Sequence, residues 1–248
     1  FDASTARLAS VECDGGKLPF GNGPQIASEP RLPDKDAPVK FNHRRSDDGY
    51  VLDWESVASF DHVRWTVLPD GGLKLEYRFA AAGEFQYLGV SFDLPEKQIV
   101  SARWLGQGPC RVWRNRTRGT VLDVYERAWN ENTPGETFNY PDFQGFFAQL
   151  HWAVLRAKDY QVTVATDTPD TFLRLYSPKL GQVRGGAAFP AGDVSFLHTI
   201  PAIGTKFKSP KDLGPQSQGV QLNGAVEATL YFRFAIGTAE RAAADRPS

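Results

Sequence analysis

The sequence predicts an all-β fold, a large two-sheet antiparallel sandwich, on three observations. First, Val63, Trp65 and Val67, then Leu73, Leu75, Tyr77 and Phe79, alternate with Arg64, Thr66, Lys74, Glu76 and Arg78. A period of two sends one set of side chains to a buried face and the other to water, as a half-buried strand requires. Second, Pro69-Asp70-Gly71-Gly72 separates those two runs, and its glycines accept the positive φ of a tight hairpin turn. Third, no segment carries a sustained 3.6-residue apolar stripe, while 23 glycines and 17 prolines are scattered as turn punctuation.

Taken in order, residues 8–13 and 17–20 form a first hairpin around Asp14-Gly15-Gly16. Residues 29–40 hold Pro30, Pro33 and Pro38 among charges and read as a long exposed loop. Beyond the 63–79 hairpin, strands are expected over 85–94, 99–104, 120–125, 146–157, 161–165, 171–176 and 228–236. Gly106-Gln107-Gly108-Pro109 reads as a structural turn ending the strand at Trp104, since no helix follows to make a phosphate cradle. Residues 206–222 form a second polar loop. Without an internal repeat or a break in composition, 1–236 is one domain, and 237–248 is a flexible tail with a weak helical bias.

The chain has 248 residues, 41% of them hydrophobic, with 28 Lys+Arg against 29 Asp+Glu. Near-zero net charge gives no global attraction to nucleic acid or an anionic membrane, and neither is expected as a partner. No stretch approaches the roughly 20 apolar residues that span a bilayer. Methionine is absent and the chain opens at Phe1, which reads as the processed or excised part of something longer, with a periplasmic or secreted location favoured. Cys13 and Cys110, far apart in sequence, read as plain thiols. His43, His62, His151 and His198 are too dispersed for a metal site, and neither a metal nor a cofactor is expected.

The densest stretch runs from Trp104 to Trp152. Arg103, Arg111, Arg114, Arg116, Arg118 and Arg127 are interleaved there with Trp113, Tyr125 and Trp129. Aromatic faces stack on pyranose C–H groups and guanidinium forks grip hydroxyls or carboxylates, so the mixture fits a sugar, an acidic one included. It also fits a solvated strand face with ion pairs to Asp123 and Glu126, or a single-stranded nucleic acid. Trp129, Glu131, Tyr140 and Asp142 belong to loops of the composition a carbohydrate site needs, though each ring could equally plug the end of the sandwich. Glu126, Glu131, Glu136 and Asp142 contain a conceivable glycosidase pair, which sequence alone does not select. His151 reads as a core or rim residue, and His198 is carried as a candidate to face a cleft. The sequon Asn115-Arg116-Thr117 reads as chance. No motif of nucleophilic or nucleotide chemistry appears, and nothing compels catalysis.

Trp104-Leu105-Gly106-Gln107-Gly108-Pro109, followed by Trp113, Asn115 and Arg116, resembles a marker in the last domain of family 2 β-galactosidases. The opening Phe1-Asp2, then Arg7 to Val11 and Gly15-Gly16-Lys17-Leu18, is similar to the start of that domain, and the Asp70–Leu73 turn and the Glu84–Val90 run follow in the family's order. The similarity spans 1–236. It departs where the family's Glu, Tyr and Asp stand as Arg111, Trp113 and Asn115, leaving Arg116 alone unchanged. The resemblance implies a galactose mutarotase-like β-supersandwich beside a separate catalytic barrel that this chain lacks. It also implies a late loop lending an aromatic to the sugar subsite, matched by position to Phe207.

Three functions follow. The first is a non-catalytic domain of a family 2 β-galactosidase-like enzyme, binding a galactoside or polysaccharide and shaping the active site. The second is an independent carbohydrate-binding module for an acidic polysaccharide. The third is an aldose 1-epimerase, with His151 or His198 as acid and Asp142 or Glu131 as base. The candidate carbohydrate contacts are Trp113, Asn115, Arg116, Arg118, Trp129, Glu131, Tyr140, Asp142, His151, His198 and Phe207.

Overall fold

A computed structural model describes residues 1–128, 145–175 and 189–237. Among the described residues fifteen strands follow one another. They are β1 (Val11–Cys13), β2 (Gly16–Leu18), β3 (Gly21–Glu29), β4 (Lys40–Ser46), β5 (Gly49–Val57), β6 (Phe60–Val67), β7 (Leu73–Phe85) and β8 (Tyr87–Asp93). The second half holds β9 (Ile99–Val112), β10 (Val121–Ala128), β11 (Phe146–Ala157), β12 (Tyr160–Thr166), β13 (Phe172–Leu175), β14 (Val194–Thr199) and β15 (Val220–Ile236). The chain is thus all-β, and every strand pairing in it is antiparallel.

β1 and β2 form a separate hairpin, and the remaining 13 strands form one continuous sheet folded into two layers. The smaller layer runs β3-β8-β14-β13 and the larger runs β12-β15-β7-β6-β5-β4, with β11 joining them. Phe147 of β11 pairs with Leu173 in the small layer, while Trp152 to Arg156 pair with β12 in the large one. β9 and β10 extend the sheet from the other side of β11.

Alternation builds the core. Phe92 and Phe196 of the small layer meet Phe232 of the large one at 5.3 and 6.3 Å, and Trp65 lies 5.9 Å from Phe232. Each ring is at most 1% exposed, and burying such a side chain stabilises the fold by about 2–3 kcal/mol. Arg174 is fully buried on the opposite face of the small layer, in register with Ser195 and Ser91. It donates to Ser195 Oγ and to the carbonyls of Gly192 and Ala191 at 2.8 to 3.1 Å, so its desolvation is offset.

Two expectations change. Gly106–Pro109 is not a turn, because β9 continues to Val112 with β10 on one edge and β11 on the other. The glycines allow close approach: a Cβ at Gly108 would stand 2.6 Å from the Tyr125 ring, and one at Gly106 would stand 3.0 Å from the Ala148 carbonyl. The second polar loop ends at Gly219, since β15 begins at Val220, well before residue 228. Cys13 and Cys110 are both free, the second exposed. The expected tail lies beyond the described residues, apart from Gly237. No described helix is long and apolar enough to cross a membrane.

Candidate functional site

The outer face of the large layer is the second product of the same alternation. With Val63 and Trp65 turned inward, His62, Arg64 and Thr66 of β6 point outward. The register sets Asp53 beside Arg64, Arg64 beside Glu76, and Glu76 beside Thr229, a polar line across β5, β6, β7 and β15. Next to it, Glu55, His62, Arg78 and Glu227 form a second line.

Asp53 is the centre of this face. Its Oδ2 accepts from Arg64 Nε at 3.2 Å, the Arg64 terminal nitrogen at 2.9 Å and Arg44 at 3.3 Å, while Oδ1 meets His62 Nε2. Burial by itself would raise the Asp53 carboxyl, but the hydrogen bonds and charges of Arg64 and His62 outweigh it and hold the group below its ordinary value. The same bond to Asp53, opposed by burial, raises Arg64. Lys74–Glu76 at 2.9 Å and Arg78–Glu227 at 3.2 Å continue the alternation of charge. Tyr231 donates to Asp167 at 3.2 Å, and its hydroxyl is raised by burial and then by the Asp167 charge.

Two open cavities of about 540 and 740 Å3 lie on this face and share Arg64 and Glu76. The first adds His62, Arg78, Asp167, Glu227 and Thr229, and the second adds Arg44, Asp70, Lys74 and Tyr231. Carboxylates and guanidinium groups in alternation offer acceptors and donors a few ångströms apart, an arrangement matched to adjacent hydroxyls. Proton transfer fits less well. His62 already gives Nε2 to Asp53, and Glu76 and Glu227 are ion-paired. Among the described residues no group of three His, Cys, Asp or Glu side chains is placed to hold a metal ion.

The residues singled out from sequence are dispersed. Trp113 is fully buried, edge-on to Phe146 at 5.4 Å and Phe189 at 5.3 Å, so it has no face to offer a sugar and is a core ring. Asn115 Nδ2 donates to the Ile203 carbonyl and to Ser217 Oγ, both at 2.9 Å, while its Oδ1 accepts from the Ile203 amide. Arg116 donates to the Gly204 carbonyl at 3.1 Å. The end of the marker is therefore a staple that holds the 200–217 segment. Arg118 and His151 are exposed and line neither cavity of the Asp53 face.

His198 is half-buried between the two layers, where the Tyr77 hydroxyl and Nε2 share a hydrogen bond at 2.9 Å, and burial pushes its imidazole down to about 4. Phe207 is 88% exposed with the Lys206 ammonium 5.5 Å above its ring. Trp129, Glu131, Tyr140 and Asp142 lie outside the described residues. Arginine at the sheet end is partly structural: Arg156 pairs with Glu126 at 2.6 Å, and Arg103 covers the Trp152 ring.

Asp53, His62, Arg64 and Glu76 were not singled out from sequence. The available signal was the hairpin arithmetic, since β5 and β6 reverse at Val57–Phe60 and so place Asp53 opposite Arg64.

An all-β, two-layer protein with an open polar sheet face is what the fold and the site define. No family model matches the sequence, and no curated protein matches it either. Among solved structures, a galactose 1-epimerase from Lactobacillus acidophilus NCFM is similar at a TM-score of 0.44 and 10% identity, over 96% of this chain and 79% of that one. A GalM/aldose epimerase homologue from C. elegans gives 0.38 and 8%, over 96% and 82%. A putative aldose 1-epimerase from Escherichia coli K12 gives 0.32 and 14%, over 94% and 82%. At these values the likenesses carry no functional argument.

Proposed function

We propose that this chain is a carbohydrate-recognition domain of a family 2 β-galactosidase-like enzyme. It binds a galactoside or a polysaccharide segment on the outer face of its large layer and leaves the chemistry to a separate catalytic barrel. The observation that carries the recognition reading is the pair of cavities sharing Arg64 and Glu76, lined by alternating donors and acceptors. The order of the motifs from Phe1 to Arg116 supports the enzyme family. The exposed Phe207 ring, beside the segment stapled by Asn115, supports the late-loop aromatic contact.

Calorimetric titration with galactose-terminated oligosaccharides tests this. Binding in the millimolar range is expected, weakened about tenfold by Arg64→Ala or Glu76→Gln, the loss of one charged hydrogen bond or so. Absence of heat with every neutral oligosaccharide rejects the reading. Faster anomerisation of galactose by the protein, read by polarimetry, would replace it with an epimerase.

A further inference from the structure

Three lysines from separate parts of the chain converge on one cavity of about 590 Å3, where β9 begins and β11 turns into β12. Lys17 comes from β2, Lys97 from the 3-10 turn Glu96–Gln98, and Lys158 from the turn between β11 and β12. All three are exposed. Elsewhere Lys35, Lys40 and Lys74 each hold a carboxylate, at 2.6, 3.2 and 2.9 Å. Among the described residues Lys17, Lys97 and Lys158 form no such pair, although Glu12 stands across the β1–β2 ladder from Lys17. Asp159 is the one carboxylate lining the cavity, and Gln98 adds an amide.

Three ammonium groups around one concavity, against the single carboxylate of Asp159, repel one another, and an entering anion relieves that repulsion. Net charge over the whole chain is −1, so the cluster is local and not the overflow of a basic protein. The groups are point charges on flexible stems, suited to oxyanions without fixed bidentate geometry. Tyr160, the one ring lining the cavity, is 6% exposed and belongs to the core, which leaves no platform on which a base could stack. The lining thus favours an anionic sugar polymer over a nucleic acid.

We propose that the cavity of Lys17, Lys97 and Lys158 is a binding site for the sulfate or carboxylate groups of an anionic polysaccharide. It is separate from the Asp53 face and shares no lining residue with it. The ligand chemistry is the oxyanion, and its source is read from the arms of the experiment.

Fluorescence anisotropy of the full chain is followed with labelled dextran sulfate, polygalacturonate, neutral dextran and a single-stranded oligonucleotide, with inorganic sulfate as competitor. Either or both anionic polysaccharides bind, neutral dextran does not, and added salt weakens the binding. Lys17→Gln/Lys97→Gln/Lys158→Gln weakens it about tenfold or more, as three screened charges warrant. Lys35→Gln/Lys40→Gln/Lys211→Gln, which removes the same charge from scattered positions, leaves it within about twofold. Equal loss in the two triple variants overturns the proposal, as does tighter binding of the oligonucleotide through the same lysines. Full displacement by inorganic sulfate at concentrations whose ionic strength alone has no effect would make the site one for the free ion and overturn the polymer. Titration of the cavity variant with neutral galactosides keeps a failure here distinct from a failure of the Asp53 face.

Discussion

His198 makes the protein sensitive to mild acid in a way that can be isolated. In the native protein its Nε2 shares a hydrogen bond with the Tyr77 hydroxyl, and its pKa falls from 6.5 to about 4 through burial. An unfolded chain binds the proton near pH 6.5 and the native chain only near pH 4. Between those values the unfolded state therefore holds more protons, and stability falls as the pH falls. The linkage relation gives about 2 kcal/mol of lost stability between pH 7.5 and pH 5, and about 2.5 by pH 4.5. For a domain of this size that is a fall in Tm of about 4–8 °C beyond what other groups contribute. His198→Gln keeps an acceptor for Tyr77 and cannot titrate, so it removes only the pH-dependent part. Thermal or urea unfolding of both proteins from pH 7.5 to 4.5 is the assay. A gap between the two curves that shifts by about 2 kcal/mol in favour of the variant from pH 7.5 to pH 4.5 supports the argument, and parallel curves refute it.

Other substitutions test separate links. Asp53→Asn weakens the bonds to Arg64, Arg44 and His62 and is expected to cost about 1–3 kcal/mol at pH 7. The native Asp53 pKa is depressed, so that loss should shrink as pH drops below about 4, where the wild-type carboxylate also gains its proton. Phe232→Ala empties the meeting point of Trp65, Phe92 and Phe196 and should destabilise by about 3–5 kcal/mol in urea. Asn115→Ala should leave the sandwich folded while accelerating hydrogen exchange at the Ile203 amide and proteolysis within 200–217, because three bonds of the staple are lost. Phe207→Ala should leave Tm within about 1 °C, its ring being in water, and any change in sugar affinity reports contact alone.

The fold was legible where the alternation of a half-buried strand runs unbroken, and β5, whose buried Val51, Trp54 and Val57 stand three apart, escaped it. β6 and β7 alternate cleanly because their inner residues meet the opposite layer, and their hairpin carries its own turn sequence. β4 was not legible. All seven of its residues are exposed at the sheet edge, so no burial constraint writes a pattern into Lys40–Ser46. β3 was hidden by Gly21, Gly23 and Pro24, which in isolation signal a turn. The site was less readable still. A polar face is built by register between strands, and register depends on where hairpins reverse, which no single strand encodes. The marker from Trp104 to Arg116 did flag an important region, but Asn115 and Arg116 bond to the chain's own segment 203–217.

β15 lies between β12 and β7 in the middle of the large layer, although it is the last strand in sequence. During synthesis, β4 to β7 and β9 to β12 emerge first as two blocks, each with an open edge where the other should be joined. Neither block can close until Val220–Ile236 is available to bridge them. The assembled polar lines, which cross from β7 to Thr229 and Glu227, share that delay. Closure of the large layer should therefore wait until β15 has emerged, and a nascent chain stopped before β15 should be prone to pairing with its neighbours on the ribosome.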